Sequence, residues 1–258
     1  MSFKTRRRKF IKDLGGNVLW KLEGYIGRAS LIGDTPFFKR EEFPWADDLE
    51  KNWKIIRKEL DKVLEHQQTI PNFQDISKDQ VVITNDDRWK TFFLYGMGYK
   101  AEDNCALCPE TTRLVEKIPN MTTAFFSILS PRKHIPPHRG LFKGFVRYHL
   151  GIKIPRPSSL CRIRVDKEVR SWEEGKSLFF DDTYDHEAWN DSDETRVVLF
   201  VDVLRPLPFP ASVINKSLIS LVKRSAYVQD ARRNQENWAA ATKEAATAAA
   251  TAAATAET

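Results

Sequence analysis

The chain is short of sulfur, of glycine and of long apolar runs: its 258 residues include three cysteines, three methionines and 11 glycines. Three cysteines, an odd number, do not make a closed disulfide framework and suit a reducing compartment, so a cytoplasmic location is expected. No stretch reaches the roughly 20 apolar residues that a bilayer-spanning helix needs. Five of the first nine residues are basic, and the apolar stretch beyond them is interrupted by Asp13, Gly15, Gly16, Asn17, Lys21 and Glu23. That pattern lacks the unbroken apolar segment of a secretory signal. With 41% hydrophobic and 11% aromatic residues the chain can bury a core, which excludes a collagenous or wholly disordered polymer.

The net charge of +6 is modest for this length, so no nucleic-acid partner is expected from the balance alone. Its distribution says more. Lys4, Arg6, Arg7, Arg8, Lys9 and Lys12 crowd one end, and Lys216, Lys223, Arg224, Arg232 and Arg233 lie near the other. Both ends could meet an anionic surface, which makes peripheral contact with the inner face of a membrane an expectation alongside a purely soluble one.

Four segments emerge from the patterning. Residues 1–46 form a basic amphipathic segment and a proline-punctuated aromatic connector, with Phe10, Ile11, Leu14, Val18, Leu19 and Leu22 near helical spacing. This segment could lie in an interface or pack on its own domain. Residues 47–210 form the main domain, opening with a helix over 47–65 on the stripe Leu49, Trp53, Ile56, Leu60 and Val63. After Pro71 come runs rich in β-branched and aromatic residues, Val81 to Thr84 and Thr91 to Tyr95, and then a short helix after Pro109. Strands are expected at 122–129, 145–152, 160–165, 177–180, 186–189 and 195–204, separated by turn formers. Six short strands without intervening helices mean an antiparallel sandwich or barrel of jelly-roll type. Residues 211–238 read as an amphipathic helix, and 239–258 as an alanine- and threonine-rich tail, frayed or disordered.

Four of the five histidines, His134, His138, His149 and His186, fall in the strand-rich half. Two imidazoles from opposing strands can hold a divalent transition metal; the alternative is satisfied core or surface histidines. Arg147 and His149 share a strand face, and Arg196 lies in another apolar strand. A guanidinium there needs an anion, either an internal carboxylate such as Asp181, Asp182 or Asp202, or a small dicarboxylate ligand. Cys105 and Cys108 have the two-residue spacing of a zinc or redox pair. No second pair exists to complete a structural zinc site, so they read as small buried apolar residues.

At these residues the sequence resembles a known family. Phe126-Ser127-Ile128-Leu129-Ser130-Pro131, Pro137-His138-Arg139-Gly140, Arg147-Tyr148-His149-Leu150-Gly151, Ser171-Trp172-Glu173-Glu174-Gly175, Phe180 through Asn190, Arg196 and Val201-Asp202-Val203 resemble the aspartyl/asparaginyl β-hydroxylases over roughly residues 50–206. The resemblance implies a mainly β protein with flanking helices and a double-stranded β-helix core, jelly-roll or cupin-like. It implies an enzyme, a 2-oxoglutarate-dependent dioxygenase using Fe(II), 2-oxoglutarate and O2, with ascorbate as a supporting reductant. His138 and His186 are implied to bind the metal, Arg196 the distal carboxylate of 2-oxoglutarate, and Ser127, Arg147 and His149 to be further cosubstrate-binding positions. Gly140 stands where most oxygenases of the superfamily carry an acidic third ligand, as it does in the animal peptide hydroxylases of the family. A halide at that place, as in halogenating relatives, is one alternative, and a binding module without catalysis is another. The substrate implied is a membrane-lipid acyl chain, as in the lipid A and ornithine-lipid branch, with Asp or Asn of a peptide, a protein or a free amino acid as the alternative.

Overall fold

The computed structural model describes residues 16–140 and 142–256. Eleven strands build two antiparallel sheets: β1 (Phe37–Phe38), β2 (Trp89–Gly96), β3 (Tyr99–Lys100), β4 (Met121–Leu129), β5 (Lys133–His138), β6 (Phe145–Lys153), β7 (Cys161–Val165), β8 (Glu168–Ser171), β9 (Ser177–Phe180), β10 (His186–Asn190) and β11 (Arg196–Leu204). Seven run in the order β1-β9-β6-β11-β4-β2-β3, and four face them in the order β5-β10-β7-β8. This is the jelly-roll core expected from the spacing of strands, with helices outside it.

Side-chain alternation divides the large sheet into two faces. Val197, Leu199, Val201 and Val203 of β11, Ala124, Phe126 and Ile128 of β4, and Val146, Tyr148 and Leu150 of β6 form the larger core with Ile56, Leu60 and Val63 of the helix Trp53–Leu64. The intervening positions face the smaller sheet. Trp89, Leu129, Phe180 and Val198 there meet Ile135, Ile163, Val165 and Ala188. Polar members of the same rows, Ser127, Arg147, His149, Arg196 and Asp202, are thereby brought into the space between the sheets.

Several elements depart from their sequence reading. The helix expected over 47–65 is two, Ala46–Lys51 and Trp53–Leu64, because the backbone bends at Asn52. Val81 to Thr84 is no strand: residues Lys78–Val82 form a 3-10 turn, and Val81 and Val82 stand exposed with no strand beside them. β5 was hidden by Pro136 and Pro137, which an edge strand tolerates because one row of its backbone groups lacks a ladder partner. Beyond the barrel lie two helices, Ala211–Lys223 and Ala226–Ala256, where a single helix is expected over 211–238.

At the other end, the amphipathic expectation falls partly on residues 1–15, outside the described residues. The helix Gly16–Ala29 packs on its own domain through Ile26, which shares a small cluster with Phe142, Leu207 and Leu218.

Candidate active site

His138 ends β5 and His186 begins β10, and antiparallel pairing sets them directly opposite each other, with ring centroids 4.1 Å apart. Each ring is oriented by its own chain. His138 Nδ1 donates to the Pro136 carbonyl at 2.8 Å, and His186 Nδ1 donates to the Tyr184 carbonyl at 3.0 Å. A carbonyl only accepts, so both rings carry their proton on Nδ1 and present the Nε2 lone pair, as a metal-binding imidazole does. Burial, with Arg147 nearby, pushes His138 down to about 4, and burial with His138 and Arg147 holds His186 well below its ordinary value. Both rings are neutral at physiological pH.

Beside this pair the chain makes a close approach at Gly140. Its amide donates to the Asp182 carbonyl at 2.6 Å, and a Cβ there would lie 2.2 Å from an Asp182 carboxylate oxygen. The place of an acidic side chain two residues after His138 is thus already filled by Asp182. Arg147 Nη2 lies 2.9 Å from that carboxylate, and its Nε and Nη2 donate to Asp202 at 3.0 and 3.2 Å. Burial pushes the Asp182 carboxyl above the usual carboxylate range, against the pull of Arg147. Arg147 therefore sits at the site as an internally paired cation, the alternative weighed for it from sequence.

Deeper between the sheets the situation reverses. Arg196 is buried, with no carboxylate partner among the described residues: Nε has no hydrogen-bond partner, and Nη1 reaches the Ser127 carbonyl only at 3.5 Å. Its guanidinium lies 4.2 Å from the centre of the Trp172 ring. Burial pushes it down to about 10. His149, held among Phe180, Phe200 and Trp172, leaves both ring nitrogens unpartnered, as does the Trp172 indole. The Ser127 hydroxyl accepts from Trp89 Nε1 at 3.1 Å. Each unsatisfied buried polar group costs about 1–3 kcal/mol, and a lone buried guanidinium more, so this end of the lumen is built for an anion.

The donor set fits the groups implied by the sequence. Two neutral imidazoles suit iron(II), and the unpartnered Arg196 suits one carboxylate of a dicarboxylate. Among the described residues no cluster of three or more His, Cys, Asp or Glu side chains could hold a metal, so the protein offers the two imidazoles. His134 takes no part: it is exposed, 2.9 Å from Glu187, and stacked on Trp189. Cys105 and Cys108 are free and buried, and burial pushes Cys108 up to about 12, as structural thiols would be. Trp89 escaped the sequence reading, since a tryptophan opening an apolar strand carries no signal distinct from core. Trp172 was visible only within the resembling motif.

Beside His138 lies a groove of about 1230 Å³, lined by Phe73, Phe93, Phe125 and Phe200 and by residues of the second C-terminal helix. No helix among the described residues is long and apolar enough to cross a membrane.

Comparison with known proteins identifies the family. The profile of the aspartyl/asparaginyl β-hydroxylase family matches residues 50–206. The chain is 49% identical over 207 residues to the ornithine lipid ester-linked acyl 2-hydroxylase of Rhizobium tropici, covering 80% of this chain and 74% of that one. It is 36% identical over 163 residues to human aspartyl/asparaginyl β-hydroxylase, covering 61% of this chain but only 21% of that protein. Human aspartate β-hydroxylase domain-containing protein 2 is 31% identical over 185 residues, 67% of this chain and 48% of that one.

Proposed function

The chain belongs to the aspartyl/asparaginyl β-hydroxylase family, and on that footing we propose that it is an iron(II)- and 2-oxoglutarate-dependent hydroxylase of a membrane-lipid acyl chain. The observation that carries the reaction class is the buried, unpaired Arg196 beside a pair of neutral imidazoles. His138 and His186 would hold the metal, Arg196 the distal carboxylate of 2-oxoglutarate, and Ser127 and His149 the walls of its pocket. When bound, iron(II), 2-oxoglutarate and dioxygen together supply the oxidising power that converts a C–H bond to C–OH, with succinate and carbon dioxide released.

This chain's own residues do the rest. The Pro136 and Tyr184 carbonyls keep each imidazole in one tautomer and one orientation. Phe180, Phe200 and Trp172 exclude water from the cosubstrate end. The Asp182, Arg147 and Asp202 ion pairs fix the rim where a substrate would enter. The lipid reading is supported by the acyl hydroxylase relative and by the groove beside His138 that Phe73, Phe93, Phe125 and Phe200 line.

Peripheral membrane docking belongs to the same proposal. Phe209 is 83% and Leu31 67% exposed in the segments just outside the helices Ala211–Lys223 and Gly16–Ala29, and those helices carry exposed Val213, Lys21, Arg28 and Lys216. An apolar tip with basic neighbours is the composition of an anionic-leaflet contact. Flotation with anionic vesicles should carry the full chain, and Phe209→Asp should release it; equal flotation of both would refute the docking surface.

The function is tested by succinate release with iron(II), ascorbate and oxygen, adding ornithine lipid in one arm and Asp- or Asn-containing peptides in the other. Stimulation by the lipid alone is expected. Stimulation by the peptides alone would replace the acyl substrate with a peptide one.

A further inference from the structure

We infer that the helix Ala226–Ala256, beyond the family-matched residues, is the outer wall of an acyl-chain channel and sets the length of chain the enzyme accepts. The inference rests on the lipid reading above and adds to it the element that measures the substrate.

The helix is held to the barrel along two rims and leaves the space between them open. On one rim the Tyr227 hydroxyl meets Ser77 Oγ at 3.2 Å, and Asn234 Nδ2 donates to the Ile76 carbonyl at 3.0 Å. On the other, Gln229 Nε2 donates to the Tyr99 hydroxyl at 3.1 Å, and the Arg232 guanidinium lies 4.3 Å from the centre of the Tyr99 ring. Between these anchors the helix turns Val228, Ala231, Gln235 and Ala239 into the groove, at helical spacings of three and four.

Two features mark that face as a channel wall. A helix that merely covered an apolar surface would fill the gap with large side chains, since interiors pack to crystal density. Here Ala231 and Ala239 share the groove's lining with Phe73, Phe93 and Phe125, and about 1230 Å³ stays open, above the roughly 300–1,000 Å³ of a typical small-ligand site. In addition, His138 and Gly140 line the same groove, and its charged lining is mixed, with Lys100 and Arg139 alongside Glu102 and Asp230. A groove with a phenylalanine-rich lining that includes His138 matches an acyl chain. If oxidation occurs next to the acyl carbonyl, the whole remaining tail must run away from the metal, and this groove leads away from it.

Competition binding by the full chain, with saturated fatty acids of rising length displacing a dansyl-labelled fatty acid, reads the channel without turnover. Each added methylene that enters apolar space should tighten binding by about fourfold, until the channel is full. Ala231→Trp and Ala239→Trp should end that gain at shorter chains, while 2-oxoglutarate still raises the melting temperature as in wild type. Length dependence unchanged in both variants, or absent from wild type, would overturn the inference. Should either variant fail to fold, photolabelling of wild type by a diazirine fatty acid decides the matter: modification within residues 226–240 is expected, and modification only elsewhere refutes the wall. Intact length dependence without lipid-stimulated succinate would instead refute the lipid substrate and leave the channel standing.

Discussion

Two arginines at the two ends of one strand differ in a way that separates architecture from chemistry. Arg196 opens β11 and Arg205 comes directly after its last residue, and both are buried. Arg205 is fully employed: it pairs with the buried Asp181 and donates to the carbonyls of Lys143 and Gly33 and the Ser30 hydroxyl. It ties the connector before β1 to the loop that leads into His186. Arg196, equally buried, has an aromatic face and no carboxylate partner among the described residues. The same side chain at the same depth is a cross-link in one place and a receptor in the other; only the presence of a carboxylate tells them apart.

Substitution should pull the two roles apart. The largest effect on turnover should come from His138→Ala, which removes one of two protein ligands and should reduce succinate formation to background while leaving the fold intact by circular dichroism. Next, Arg205→Met should lower the unfolding free energy in urea titration, by less than the roughly 3–5 kcal/mol of a fully stranded buried charge, because it leaves the buried Asp181 with Lys143 as its remaining cation. Arg196→Met should do the opposite to the empty protein, leaving its stability unchanged or raising it, since an unpaired cation is replaced by an apolar chain. It should nonetheless weaken 2-oxoglutarate binding by at least about 2 kcal/mol, roughly thirtyfold, measured by calorimetry. Equal destabilisation by both substitutions would erase the distinction between the two ends.

Smaller effects test the loop between them. Gly140→Ala should cost about 1–3 kcal/mol, as its Cβ forces the Asp182 carboxylate aside, and it should lower turnover. Acid should act through Asp181. Burial alone would raise its pKa, but Arg205 and Lys143 outweigh burial and bring it below the ordinary value of 3.8. A depressed folded pKa gives stability that is present above the ordinary value and is lost as pH falls through the folded one. Stability should therefore decline below about pH 4, and Asp181→Asn should be less stable at neutral pH but flatter in that acid limb.

The strands of the barrel were legible because β4, β6 and β11 are runs rich in β-branched and aromatic residues, as strands buried on both faces are. Short edges were not: Phe37-Phe38 becomes β1 only by pairing with β9, and β5 is masked by its prolines. The six site residues named from sequence all reach the lumen or its rim, since strand parity fixes which way each points. What strand parity could not say is which arginine would be paired. Arg147 finds Asp182 and Asp202 only because β6, β11 and the loop before β10 converge. The C-terminal wall was equally hidden, because alanines facing a groove and alanines in a solvated tail look alike until the helix is docked.

The most direct test is the thermal shift produced by 2-oxoglutarate with Mn(II) standing in for iron, compared between wild type and Arg196→Met. Wild type should show a clear rise in melting temperature and the variant little or none, with the two ligand-free proteins melting alike or the variant higher. An equal rise in both would contradict the assignment of Arg196 as the carboxylate receptor, and with it the reading of the unpaired cation on which the function rests.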